Sequence, residues 1–160
     1  MSAGTLVRQR APRTPKREAD VRVSVLAKTP LAARGVARLA AAVLKAERAR
    51  TAALSITFVT PARIRSLNRK HFRRNRPTDV IAFALGDPPL VGDVYICPAV
   101  AAREATRAGT TIQDELRRLV VHGVLHTLGW EHPEGARGRL ASAMWRRQER
   151  HVRAHGKLAR

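Results

Sequence analysis

Hydrophobic and polar residues alternate along some segments of this chain and recur at helical spacing along others. Val21, Val23 and Val25 alternate with polar residues, which predicts a first β-strand. Apolar runs rich in β-branched residues predict three further strands, at 54–59, 80–85 and 91–97. Segments with an apolar residue every three or four positions, several of them opened by proline, predict helices at 30–48, 62–70, 98–108 and 133–155, with another that Thr110 or Thr111 caps.

The resulting order, β-α-β-α-β-β-α-α-α, indicates an α+β fold. We expect a single domain over residues 21–155, with a small four-stranded mixed sheet and helices packed on it. Residues 1–20 hold arginines and lysine among prolines without apolar periodicity, which predicts a disordered basic tail.

Composition adds a strong constraint on partners. The 160 residues include 31 Lys and Arg against 12 Asp and Glu, a net charge of +19. A field of this sign attracts polyanions, and RNA or DNA are the obvious candidates. No run of 18 apolar residues occurs, so we expect no membrane span. Cys97 is the single cysteine, which suits a reducing compartment, and we expect a cytoplasmic protein.

The segment from His122 to His132 carries the most specific chemistry. His122 and His126 are four residues apart, so a helix places both imidazoles on one face. Gly129 can end that helix with a positive φ and let the chain return His132 towards them. Three histidines with one open position form the usual ligand set of a catalytic zinc. Buried histidines with ordinary hydrogen-bond partners are the alternative, but a shared metal satisfies all three rings at once.

The same spacing matches the zincin pattern H-E-x-x-H-x-x-G-x-x-H except at one position. Gly123 stands where a peptidase has the glutamate that acts as its general base. The pattern therefore predicts a metal site without the peptidase's base.

A second informative segment, residues 67–83, packs five basic residues into eight positions before a strand. Arginines there can hold phosphates through paired hydrogen bonds. With both segments in view, the chain resembles the YbeY family of metal-dependent endoribonucleases. The family's H-G-x-L-H-L-x-G-Y-D-H motif is similar to residues 122–132, its L-N-R and P-T-D-V-L-S-F motifs to 67–69 and 77–83, and its G-D-[IV]-x-I strand to 92–97.

The resemblance implies that His122, His126 and His132 bind one metal ion, expected to be zinc. It implies a single-strand-specific endoribonuclease that acts on precursor ribosomal RNA, takes part in ribosome quality control and contacts small-subunit proteins. The family's functional arginine falls at Phe72 by ungapped count, so we expect Arg73, or Arg69 one helical turn earlier, to assist catalysis.

Two other readings stay open at the level of sequence. One is a zinc hydrolase of another substrate, such as a peptide, which the missing base at Gly123 disfavours. The other is a non-catalytic ribosome-assembly factor that binds RNA by charge and uses its metal structurally.

Overall fold

The secondary structure follows the predicted order closely. The computed structural model describes residues 19–49, 51–87 and 89–160. The strands are β1 (Asp20–Val25), β2 (Thr51–Phe58), β3 (Val80–Leu85) and β4 (Leu90–Ile96). The helices are α1 (Ala33–Ala46), α2 (Pro61–Phe72), α3 (Pro98–Ala108), α4 (Ile112–Thr127), α5 (Ala136–Leu140) and α6 (Ala143–His155), followed by a 3₁₀ turn at Gly156–Leu158.

The four strands form one mixed sheet in the order β1-β2-β4-β3. β1 and β4 both pair with β2 in parallel, which brings Val23 and Val94 to either side of Ile56. β3 runs antiparallel to β4 at the far edge. The α+β class and the four-stranded mixed sheet are therefore confirmed.

Helix α4 lies at the centre of the packing. It contacts β3 and β4 of the sheet and also α1, α3 and α6. Its apolar residues join those of α1, β2 and β4 in the main core, whose members with no exposed surface include Val36, Leu39, Ile56, Val94, Val120, Val124 and Leu125. Burial on most sides fixes α4, and with it the side chains that α4 presents to the cleft described below.

Three boundaries differ from the sequence prediction. The helix expected over 133–155 is divided, because Ser142 accepts a hydrogen bond from the backbone N–H of Trp145 and so caps a new helix, α6. The basic loop expected over 69–76 is shorter, because α2 continues through Phe72. Packed chain also continues past residue 155, since Ala159 is fully buried.

The expected basic tail, residues 1–20, lies outside the described residues except for Ala19 and Asp20. Asp20 already pairs with Ala53 as the first residue of β1. In the described part of the chain, no helix is both long enough and apolar enough to cross a membrane.

Candidate metal centre and cleft

Helix α4 and the turn after it assemble the histidine cluster. The side chain of Thr111 accepts a hydrogen bond from the backbone N–H of Asp114, which fixes the start of the helix. Gly129 has φ of +90°, as the spacing predicts, and turns the chain after the helix. His132, beyond this turn, then faces His122 and His126.

The three imidazoles converge on one point. The Nε2 atom of His132 lies 3.3 Å from Nε2 of His126 and 3.4 Å from Nε2 of His122. Zinc–nitrogen bonds of about 2.05 Å in a tetrahedral site place two ligand nitrogens about 3.3 Å apart. The spacing of the cluster therefore fits a tetrahedral metal ion, and these three residues can hold one.

Hydrogen bonds at the opposite ring nitrogens fix how two of the rings are oriented. Nδ1 of His122 lies 2.8 Å from Oε1 of Gln148, and Nδ1 of His132 lies 2.9 Å from the carbonyl oxygen of Pro133. Both partners are acceptors, so each Nδ1 donates its proton, and in the neutral ring Nε2 then keeps a lone pair. Two lone pairs that face each other at 3.4 Å cannot bond to one another, whereas a cation between them satisfies both.

Burial favours the neutral form of two of the rings, His122 and His126, and a neutral ring is the form that binds a metal. Desolvation lowers the pKa of His122 to about 4; His126, His132 and Arg139 act in the same direction, and the bond with Gln148 opposes them. The pKa of His126 is also lowered, by burial first and then by His132.

The position of the absent peptidase base is sealed by packing. A Cβ atom added to Gly123 would lie 2.5 Å from Cγ1 of Val94, a residue with no exposed surface. No side chain, and so no glutamate, fits at position 123 while α4 rests on β4.

The histidine cluster opens into a cleft of about 1240 Å³ between α2, β3, α4 and α5. Among the described residues, four arginines and four acidic residues line this cleft: Arg74, Arg76, Arg118, Arg139, Asp79, Glu104, Glu115 and Glu131. A cleft of this size has room for several atoms of a polymer backbone beside the metal position.

The structure brings together the three predicted histidines but not the two predicted arginines. Arg69 and Arg73 are exposed, and neither is among the residues that line the cleft. Arg73 ends α2 in the left-handed conformation, with φ of +57°. Arg74 and Arg76 follow it into the cleft, and Arg74 forms an ion pair of 2.7 Å with Glu134.

Polar and aromatic side chains near the cluster, such as those of Trp130 and Asp93, make contacts that support the fold. Trp130 packs against the core, with the guanidinium of Arg147 4.3 Å from its ring. Asp93 accepts a hydrogen bond from Ser55, and Asp79 accepts one from the N–H of Val80 at the start of β3. Glu131 is exposed at the cleft, and the acceptor for Nδ1 of His132 is the carbonyl oxygen of Pro133.

Sequence reasoning missed two residues of this site. Gln148 is 26 positions from the histidine that it contacts, and a lone glutamine in an amphipathic helix carries no recognisable signal. Arg139 lies on the short helix α5, within a segment whose pattern predicts one continuous helix. Gly135 precedes α5 and Ser142 caps the next helix, so these two residues are the sequence signal that could have predicted α5 as a separate helix.

Comparison with known proteins agrees with this geometry. A family profile described as Endoribonuclease YbeY matches residues 22–156. The chain belongs to the YbeY family. The segments that carry the resemblance, including the three histidines, all lie inside the matched region.

Individual relatives give the same assignment. The chain is 41% identical over 129 residues to Endoribonuclease YbeY of Anaeromyxobacter dehalogenans, a match that covers 78% of this chain and 65% of that protein. It is 40% identical over 111 residues to the protein of that name from Thermobifida fusca, covering 62% of this chain and 72% of the relative. The match thus spans just under two thirds of the first relative's length.

A solved structure shows the same fold. A Thermotoga maritima protein solved in solution superposes with a TM-score of 0.58 at 25% sequence identity, covering 82% of this chain and 86% of the other. The arrangement of strands and helices is therefore shared across distant sequences.

Proposed function

We propose that this protein is a zinc-dependent endoribonuclease that cleaves single-stranded RNA. The observation that carries the proposal is the histidine cluster, with three imidazole nitrogens at tetrahedral spacing in an open cleft. The name shared by its relatives, Endoribonuclease YbeY, supports RNA as the substrate.

The donor set supports zinc. Three imidazoles are a common zinc ligand set in catalytic sites, where the fourth position is left to water or substrate. Within the described residues, the cluster contains these three histidines and no fourth protein ligand. A structural zinc site normally has four protein ligands, so the cluster favours catalysis over a purely structural role.

The residues of this chain have distinct tasks in the proposed reaction. His122, His126 and His132 hold the metal, which when bound supplies Lewis acidity to a phosphoryl oxygen and makes hydroxide available near neutral pH. Gln148 and the Pro133 carbonyl keep two of the ligand rings in the required orientation.

Negative charge that builds on the phosphate needs a positive donor. Arg139 lines the cleft, and it is the described arginine whose charge adds to burial in lowering the pKa of His122. We therefore propose Arg139 for this role, with Arg76 as a phosphate contact. Arg73 and Arg69, the candidates predicted from sequence, are tested beside it.

The physiological substrate that we propose is precursor ribosomal RNA in the cytoplasm, in ribosome maturation and quality control, with small-subunit proteins as partners. The net charge of +19 supports binding to a highly anionic particle.

The deciding experiment compares RNA and protein substrates. Zinc-loaded protein should cleave single-stranded RNA, lose that activity with a chelator, and leave casein intact. His126→Ala should lose both zinc and cleavage, while His71→Phe, which removes an exposed imidazole outside the cluster and keeps an aromatic ring there, should keep both. Full zinc content in the His126 variant would contradict the metal site, and casein cleavage would favour the peptidase alternative.

The arginine assignment has its own test. Arg139→Ala should slow RNA cleavage about 10²-fold, the usual effect of removing one donor to a developing charge, with zinc content unchanged. Arg73→Ala and Arg69→Ala are the matched controls. Both should cleave RNA at the parent rate if the assisting arginine is one that lines the cleft. Loss of activity in those two with a normal rate for Arg139→Ala would return the role to the sequence-predicted arginines.

A further inference from the structure

One aromatic side chain in the cleft is unusually open to solvent. Phe72, the last residue of α2, is 48% exposed and lines the cleft that contains the histidine cluster. Among the described residues it is the only aromatic one with such a large exposed apolar surface. Exposing a phenylalanine costs hydrophobic free energy, so its place in a functional cleft needs an explanation.

The ring of Phe72 packs against a second aromatic ring. It lies nearly parallel to Phe83 on β3, with the ring centroids 6.1 Å apart and an angle of 17° between the planes. Phe83 is itself fixed by edge contacts with His71 and Tyr95. The backbone N–H of Arg73 bonds to the carbonyl of Arg69 and secures the end of the helix that carries Phe72. The open part of the ring is therefore presented by a supported aromatic cluster.

The surroundings combine the two chemistries that single-stranded nucleic acids offer. Arg74 and Arg76 line the same cleft immediately after Phe72 in the chain and can contact phosphates. Leu140, from α5, is a second exposed apolar side chain in this cleft. A flat apolar ring beside guanidinium groups matches the stacking surfaces and charged grooves that bind unpaired bases and their backbone.

We propose that Phe72 is a base-stacking residue, on which one unpaired base of a single-stranded RNA lies while Arg74 or Arg76 contacts its phosphate. The inference rests on the proposed endoribonuclease function and adds a binding site for the base to it. Every base has a π-face, so this contact selects unpaired over paired strands without reading a particular sequence.

The test measures binding of the full zinc-loaded chain to two uncleaved probes of equal length. One is a 2′-O-methyl oligoadenylate, and the other is an abasic oligonucleotide that keeps the phosphates and lacks the bases. Phe72→Leu should weaken oligoadenylate binding about tenfold, or about 1.4 kcal/mol, and leave abasic binding unchanged. Phe72→Trp should restore oligoadenylate binding and add a tryptophan fluorescence signal that oligoadenylate quenches. Leu85→Ala, which alters an exposed residue outside the cleft, is the control and should bind both probes as the parent does.

Two results would overturn the inference: parental affinity of Phe72→Leu for both probes, or an equal loss for both, which would indicate a general structural effect. Cleavage assays on the same preparations keep this separate from the proposed function. A parent that binds oligoadenylate through Phe72 but cleaves no RNA would remove the nuclease assignment and leave the stacking site. A parent that cleaves RNA, while Phe72→Leu binds both probes as the parent does, would keep the nuclease function and remove the stacking site.

Discussion

A single hydrogen bond decides which nitrogen of His122 faces the metal position. Gln148 is almost completely buried, and its amide oxygen accepts the Nδ1 proton of His122 over 2.8 Å. Its amide nitrogen donates to Glu149, which is paired with Arg118. The amide is thereby held with its oxygen towards the histidine, and the Nε2 lone pair of His122 points into the cluster.

We predict that Gln148→Leu lowers zinc affinity about 10- to 100-fold, the usual effect of losing the partner that orients a metal-binding histidine. Gln148→Glu keeps an acceptor at the same place and should retain most of the affinity. Competition with a chromophoric chelator measures both, and Gln113→Leu, on the exposed face of α4, is the control. Parental zinc affinity in Gln148→Leu would show that the orientation of His122 does not depend on this bond.

At the scale of elements, the approach of α4 to β4 sets where the histidines lie. Gly123, the residue that follows His122, is buried, and it lies so close to Val94 that a methyl group has no room. The same close approach that excludes a glutamate also positions α4 on the sheet.

We predict that Gly123→Ala destabilises the protein despite alanine's better helix propensity. The gain in propensity is about 1 kcal/mol, whereas overpacking a closed core costs about 1–3 kcal/mol. Urea unfolding measures the net loss, and adding Val94→Ala should make the double variant more stable than the sum of the two single effects. Additive effects, or a more stable Gly123→Ala, would mean that the helix can move away from the sheet without cost.

A buried ion-pair cluster joins α1 to α6. Glu47, at the end of α1, accepts hydrogen bonds of 2.7 Å from Arg147 and 2.6 Å from His151. Burial acts to raise the pKa of Glu47, but these two bonds, with the charges that accompany them, lower it below its ordinary value of 4.5. Since Arg147 also lies over Trp130, the cluster links α1 to the turn that carries His132.

We predict that Glu47→Gln reduces the free energy of unfolding by about 1–3 kcal/mol at neutral pH. A carboxyl whose pKa is lower in the folded state stabilises the fold above its unfolded pKa, and this contribution disappears as the pH falls through its folded pKa. The difference between parent and variant should therefore be full at pH 7 and shrink below about pH 4.5. Glu104→Gln, in the more exposed pair with Arg107, is the control. A difference that does not change with pH would contradict the role of the charge.

The elements and the histidine cluster are predictable from the sequence because they depend on local spacing. The four-position spacing of His122 and His126 places both on one helix face, and Gly129 marks the turn. The partners of these residues depend on tertiary contacts that no local pattern encodes. Gln148 reaches His122 because α6 packs on α4, and Arg139 enters the cleft because Ser142 starts a new helix.

At the scale of the whole molecule, the cleft holds a larger share of the described acidic residues than of the described basic residues. Four of the described acidic residues line the cleft, where they equal the described arginines in number. Most of the described lysines and arginines lie outside the cleft, so the attractive field is not confined to it. Such a field speeds the encounter with RNA, while the mixed charges of the cleft limit how strongly any one strand is held there.

The corresponding prediction is that RNA binding weakens steeply with salt and that each cleft arginine in contact with a phosphate adds one increment. Each phosphate neutralised on a single strand contributes about −0.7 to the slope of log K against log salt. We expect Arg76→Ala to make the slope shallower by about 0.7. Arg22→Ala, on β1 at the opposite edge of the sheet from β3, removes an equal charge and should leave the slope nearly unchanged, because that side chain is already paired with Asp20.

Fluorescence anisotropy with a short oligoadenylate at several salt concentrations measures all three proteins. An affinity of the parent that does not change with salt would contradict electrostatic binding altogether. Equal changes of slope in the two variants would mean that RNA contacts the whole basic surface without preference for the cleft.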